Sequence, residues 1–220
     1  SYFFSTTPGT TGYNGETCTF NKIIESMNIL LTILITLAGI VSLALLVALI
    51  LPKHYSVEVS VIVNKPKDEV HHYISLLRNQ LRYSEWLNVD PGLVAKVEGV
   101  DGTVGAVLSW ESHHENKNKN VGMGELEIKS MDEKVIDVEL RLIKPMPANC
   151  KLIHRIEKYR ENQTHLFCTF HAYAKFPINL PSHVLGIPFI RKKQLKSLNN
   201  VKSILEQPGI SSQSYLKAEV

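Results

Sequence analysis

The feature that most constrains this chain is a run at residues 28–51, NILLTILITLAGIVSLALLVALIL, which contains no charged side chain. Such a run exceeds the roughly 20 residues that a helix needs to cross a hydrocarbon core of about 30 Å. Thr32, Thr36 and Ser42 are tolerated there because a hydroxyl can bond back to a carbonyl of its own helix. A core helix of a soluble domain would carry a polar face, and this run has none. A cleaved signal would have an apolar core of only about 7–15 residues and a small-residue cleavage site. Here the run passes directly into Leu51-Pro52-Lys53-His54. The sequence therefore predicts a single-pass transmembrane helix over 28–51. Lys53, Lys65 and Lys67 follow it and only Lys22 precedes it, a bias that places the following domain on the cytoplasmic side.

Residues 1–27 are rich in Ser, Thr and Gly and show neither a helical nor a strand period. They read as a disordered leader or upstream residues, with Met27, immediately before the apolar run, as the natural start. The formal charge of +3 is small and scattered, which argues against a nucleic-acid surface. Lys53, Lys65 and Lys67, with the cluster Arg191, Lys192 and Lys193, leave room for attraction to an anionic membrane surface. Three cysteines, Cys18, Cys150 and Cys168, have no paired spacing and read as free thiols rather than a disulfide framework.

From residue 52 the pattern becomes that of one folded domain ending near residue 207, followed by a flexible tail at 208–220. Residues 55–63 alternate apolar and polar with a β-branched bias and predict a strand. Pro66 fits the first turn of a helix over 67–77, whose apolar face holds Val70, Tyr73, Ile74 and Leu77. A short helical piece around 83–87 follows. Strands are then expected at 93–98, 104–111, 122–129, 135–142, 150–158 and 164–175, punctuated by turn residues. Residues 186–205 read as a long final helix with Leu195, Leu198, Val201 and Leu205 on one face. Strands segregated from a long helix define an α+β domain with an antiparallel sheet. A gap between such a sheet and such a helix is a natural place for an apolar ligand.

The ordered set LPKHYSVEVSVIVNKPKDEVHHYIS, LRNQLRYSEW, Asp90-Pro91, VGAVLSWES, Gly122-Met123-Gly124 and LKSLNNVKSILE resembles the START-like superfamily, also called SRPBCC or polyketide cyclase/dehydrase-like. It is most similar to small bacterial members with one N-terminal hydrophobic helix. The resemblance runs over about residues 28–207. The pattern departs at Gln80-Leu81, where an aromatic is usual, and in the polar loop HHENKNKN. The resemblance implies the helix-grip fold: an antiparallel sheet curled around a long C-terminal helix, with a hydrophobic cavity between them. It implies no particular reaction, since members include carriers, receptors, cyclases and chaperone co-activators.

Strand alternation selects the residues that would line that cavity: Leu108, Trp110, Leu126, Ile128, Val138, Leu140, Leu152, Ile156, Phe170 and Ala172. Leu195 and Leu198 join them from the final helix. The same residues would serve equally to fill a dry core. Trp110 fits either a ligand slot or a cap on the core. His154 alternates with Leu152 and Ile156, so it is a candidate interior base, with His171 beside it on the last hairpin. His71-His72 and His113-His114 are adjacent pairs that cannot share a face, and no Cys or carboxylate stands at a ligand spacing, so no metal or cofactor is expected. Ser109 has no triad partners and no nucleophile elbow around it. Glu111 and Glu127 could face each other as paired carboxylates, but strand surfaces carry such residues routinely. Gly122 and Gly124 fit close packing better than a phosphate loop.

These observations predict a membrane-anchored, non-catalytic domain that binds a lipid or other hydrophobic small molecule. The alternatives are a cyclase- or hydrolase-type enzyme using a cavity histidine, and a protein-interaction module with a vestigial pocket.

Overall fold

A computed structural model describes residues 14–116 and 119–207, with side chains from residue 25 onward. The chain divides into two units between Ile50 and Leu51.

The first unit is one helix, α1 (Asn14–Ile50). Its portion Glu25–Ile50, whose most apolar 18 residues reach a mean hydropathy of 2.9, is long and apolar enough to cross a membrane. At 1.5 Å per residue that stretch is about 39 Å long. Thr32 and Thr36 donate their hydroxyls to the carbonyls of Asn28 and Thr32, both at 2.8 Å, which satisfies them within the helix. Residues 14–27, which composition reads as irregular, continue this helix backward. The apolar segment supplies an already nucleated helix onto which they add, and propagation is far easier than nucleation. Residues 1–13 and the expected tail 208–220 lie outside the described residues.

The second unit begins with β1 (His54–Val63), then α2 (Lys67–Ser75), a tight helical turn at Leu77–Asn79 and the single-turn α3 (Gln80–Tyr83). Six strands follow: β2 (Val94–Glu98), β3 (Val107–Glu111), β4 (Met123–Met131), β5 (Val135–Lys144), β6 (Ala148–Arg160) and β7 (Gln163–Tyr173). A helical turn α4 (Asn179–Pro181) leads through a wider π turn (Ser182–Gly186) into the long α5 (Ile187–Leu205). The seven strands form one antiparallel sheet in the order β1-β7-β6-β5-β4-β3-β2. Its first strand pairs with its last, from His54 opposite Tyr173 to Val63 opposite Thr164.

The helical piece expected at 83–87 is one hydrogen-bonded turn, with the Asn88 N–H donating to the Ser84 carbonyl at 3.0 Å, and a further helical stretch precedes it at 77–83. Asp101 caps that earlier stretch from a distant loop: its carboxylate accepts the backbone N–H of Leu77 at 2.7 Å and of Arg78 at 3.3 Å. Strand β3 starts three residues later than the pattern suggests because Gly105 has φ +88° and turns the chain there.

α5 packs across β1 and β7, and α2 packs on β6 and β7. The core lies beneath them and includes Val57, Leu108, Ile128, Ile156, Leu166, Leu198 and Val201. Each such side chain contributes roughly 1.5–3 kcal/mol by leaving water. Both ends of α5 are tied to β1. Near its start, the His183 ring of the preceding turn meets Tyr55 edge-on at 5.6 Å. Past its last turn, the Glu206 carboxylate accepts the Asn64 N–H at 2.6 Å. The register then puts the start of β1 at one end of the sheet together with residues 112–116 and 119–122 and loops 145–147 and 174–186. That end, next in sequence to α1, is called proximal below.

Candidate functional site

Alternation along the strands sorts side chains onto two faces. Leu108 and Trp110 on β3, Leu126 and Ile128 on β4, and Val138 on β5 are buried. So are Leu152 and Ile156 on β6, Phe170 on β7 and Leu198 on α5. The structure thus gathers nine of the twelve selected residues in one core. Leu140 and Ala172 are only half-buried and pack against its margin toward the proximal end, beside Tyr55, Leu142 and Cys150. Leu195 leaves the set, since it is 40 % exposed. The buried face of α5 instead runs through Ile190, Gln194, Ser197 and Leu198. Leu195 is one residue past that stripe, about 100° around the helix.

Trp110 is held by a glycine. A Cβ on Gly124 would stand 2.5 Å from the indole and 2.8 Å from the Arg141 carbonyl, so only glycine lets the ring lie across β4. Gly122 has φ +71° and an added Cβ there would collide with the Lys144 carbonyl. The two glycines therefore serve close packing, and Trp110 lies over the core with 5 % exposure.

Inside this apolar setting sits a small polar cluster. His154 on β6 lies directly opposite Cys168 on β7. The Cys168 thiol points to the Gln194 Oε1 of α5 at 3.9 Å. The Tyr83 hydroxyl is close enough to Cys168 and Tyr73 to feel both electrostatically. The Tyr73 and Tyr83 rings stand 6.1 Å apart. Burial holds the His154 imidazole neutral, lowering its pKa to about 4, and raises the Cys168 thiol to about 12. Burial also raises the Tyr83 phenol well above its ordinary value. All three groups are thus uncharged near neutral pH. Two buried atoms here, His154 Nδ1 and the Tyr83 hydroxyl, have no hydrogen-bond partner, and neither has Trp110 Nε1 on β3. An unsatisfied buried polar group costs about 1–3 kcal/mol, so each one is a point where a complementary group would be stabilising.

Sequence alternation found His154, but it missed Tyr83 and Gln194. Gln194 was detectable, because it sits four residues after Ile190 and four before Leu198 on the apolar stripe of α5. Tyr83 was not, because a single helical turn has no period to read.

His171 is a correction. It follows Phe170, so its side chain takes the opposite face of β7, away from His154, and it cannot act as an interior base. A concavity of about 650 Å³ on that outer face is lined by His54, Ser56, Asp137, Glu139, Lys151 and His171, among others. Its charges are largely internally matched: Lys151 pairs with Asp137 at 2.6 Å. Farther along the same face Arg141 reaches Glu125 at 2.9 Å, Glu127 at 2.6 Å and Glu139 at 2.7 Å. Glu111 stands opposite Met123 and Glu127 opposite Val107, so these two carboxylates are not a facing pair. Ser109 is likewise on the outer face, donating to the Lys96 carbonyl at 3.4 Å. Among the described residues no group of three or more His, Cys, Asp or Glu side chains is placed to hold a metal ion.

Seven antiparallel strands wrapped on a long C-terminal helix define a helix-grip domain, and comparison with solved structures gives the same answer. Norcoclaurine synthase from Thalictrum flavum, in complex with dopamine and hydroxybenzaldehyde, matches with a TM-score of 0.52 at 13 % identity, over 72 % of this chain and 89 % of that one. A truncated form of the same synthase matches with a TM-score of 0.50 at 14 % identity, over 70 % and 95 %. The domain therefore has the Bet v1/SRPBCC type of fold expected from its sequence; at such low identity the likeness concerns the fold alone. No family model and no curated protein matches the sequence.

Proposed function

We propose that this chain is a membrane-anchored binding domain whose sheet–helix interior takes a lipid or other apolar small molecule carrying one polar group. The observation that carries the reading is the pair of unpartnered buried atoms, His154 Nδ1 and the Tyr83 hydroxyl, within an otherwise apolar core. A hydroxyl or carbonyl on a mainly hydrocarbon ligand would satisfy them, while burial of the rest would contribute roughly 25 cal/mol per Å² before ordering costs. The half-buried residues Tyr55, Leu140, Cys150 and Ala172 belong to the partly covered margin of the core, and a ligand entering between them would reach it from the end nearest α1 in sequence. The long apolar α1 supports the membrane part of the reading, because a tether raises local concentration at a lipid surface without adding contacts.

The binding is non-catalytic in this reading. Burial lowers the His154 pKa to about 4, which makes it a weak base, and its Nδ1 has no partner to fix its orientation as a general base requires. Native mass spectrometry of the detergent-solubilised full chain tests the proposal. A retained lipid or other apolar mass, lost on Tyr83→Phe with His154→Leu, is the expected result. A chain that stays empty after incubation with membrane extract overturns it and favours a protein-interaction module.

A further inference from the structure

The proximal end of the domain exposes a cluster of large apolar side chains, of which Phe189 also meets Trp86 edge-on at 5.5 Å. Phe176 and Ile178 precede α4, Val184 and Leu185 sit on the π turn, Phe189 lies in the first turn of α5, and Met146 tips the β5–β6 loop. Their exposure runs from 40 % at Phe176 to 73 % at Met146. Scattered exposed apolar residues need no explanation, but a group gathered at one end of a sheet marks a contact surface.

The chemistry around the cluster selects the partner. Between Glu161 and Glu206 the sequence contains no acidic residue, while Lys175, Arg191 and Lys192 fall there and are exposed. The carboxylates at this end beside β3, Asp90, Glu111 and Glu115, lie on the other side, where buried Asp90 accepts the Ser112 hydroxyl and His113 lies 3.7 Å from Glu111. Apolar side chains bordered by cations are the composition of surfaces that lie in the headgroup region of an anionic bilayer.

Covalent continuity supplies a second, independent argument. Asn179 Nδ2 donates to the carbonyl of Leu51 at 3.0 Å, and the Ala174 N–H donates to the carbonyl of Lys53 at 2.8 Å. The segment bearing most of the apolar cluster is therefore pinned to the residue that directly follows α1. If α1 crosses a bilayer, Leu51 stands at its surface, and Phe176 to Phe189 are fastened beside it.

We propose that the proximal end is a lipid-docking face: Met146, Phe176, Ile178, Val184, Leu185 and Phe189 enter the outermost acyl region of an anionic bilayer while Lys175, Arg191 and Lys192 meet its phosphates. This rests on the reading of α1 as a membrane helix, and it fixes the domain against the bilayer rather than leaving it to swing on a leash. The half-buried margin of the core at Leu140, Cys150 and Ala172 then lies toward the end that meets the lipid.

The test uses the full chain in nanodiscs of phosphatidylcholine and phosphatidylglycerol containing a phospholipid with a diazirine high on its acyl chain. After photolysis, labelled peptides are mapped by mass spectrometry. Adducts on both α1 and the 174–190 peptide are expected, with the second set reduced when phosphatidylglycerol is omitted. Leu185→Glu together with Val184→Glu, both at exposed positions, should abolish the second set and leave the first unchanged. Adducts confined to α1 overturn the docking face while leaving the anchor intact. Absence of adducts on both overturns the docking face and the anchor together. Intermolecular cross-links through 174–190 in place of lipid adducts overturn it in favour of a second copy.

Discussion

The buried His154 makes domain stability depend on pH in a direction opposite to that of a paired histidine. Its imidazole is held neutral in the folded state, with a pKa near 4, against about 6.5 when the chain is unfolded. Between these values the unfolded chain binds a proton that the folded one refuses, so the stabilising contribution is complete above pH 6.5 and falls as pH drops toward 4. A gap of about 2.5 units at 1.36 kcal/mol each amounts to roughly 3 kcal/mol, lost across that window. Carboxylates such as Glu85, lowered by the Lys196 and Asn200 hydrogen bonds, also weaken the fold in acid. The measurement must therefore be a difference. Urea unfolding of the wild type and of His154→Leu in detergent, followed by Trp86 and Trp110 fluorescence, should give curves of stability against pH that diverge below pH 6.5. The leucine variant should lose less stability by roughly 3 kcal/mol at pH 4. Parallel curves from pH 7 to pH 4 would refute the assignment of His154 to a dry, unpartnered site.

Three other perturbations follow from the same geometry. Gly124→Ala forces a methyl against both the Trp110 ring and the Arg141 carbonyl, and should cost about 2 kcal/mol with a fall in Tm of about 4–8 °C and a changed near-ultraviolet signal from Trp110. Asp101→Ala removes the acceptor of two backbone N–H groups and of Arg78 Nε at 2.6 Å, and chemical denaturation should register a loss of about 2–3 kcal/mol. Arg141→Leu leaves Glu125, Glu127 and Glu139 near one another with Lys129 as the remaining cation on Glu127 and Glu139. Its stability deficit, about 1–2 kcal/mol at low ionic strength, should shrink as added salt screens the carboxylates.

The amount of this structure that is legible in the sequence depends on how each part encodes itself. The apolar helix is read from its unbroken length, whereas the strands are periodic signals whose period burial enforces, so Val57, Leu108, Ile128 and Ile156 can be placed inward from alternation alone. The long helix was visible for the same reason, although Leu195 shows that a stripe read one residue too wide misplaces a side chain by about 100°. The separate helical stretch at 77–83 left no signal because its cap, Asp101, comes from a loop more than twenty residues away, and no local pattern announces a distant carboxylate. The polar cluster had the same difficulty. His154 and Gln194 stand beside Cys168, and Tyr83 is near enough to feel it, only because β6, α5 and α3 converge on β7, and single positions on separate elements leave no mark in any one of them. His171 was misread because a hairpin offers two faces, and only the parity relative to Phe170 separates them.

The pairing of β1 with β7 also sets a schedule for the making of the protein. His54 and Tyr173 are neighbours in the sheet but lie 119 residues apart in the chain. At a ribosomal pace of about 5–20 residues per second, β1 emerges roughly 6–24 s before its partner exists. Throughout that interval Val57, Val59 and Val63 wait on an unpaired strand fewer than fifteen residues behind the most apolar helix of the chain. A nascent strand in that position needs shelter, whether from a chaperone or from the lipid itself, until the final hairpin arrives. Truncation after β6 should accordingly yield a chain that aggregates rather than a smaller domain.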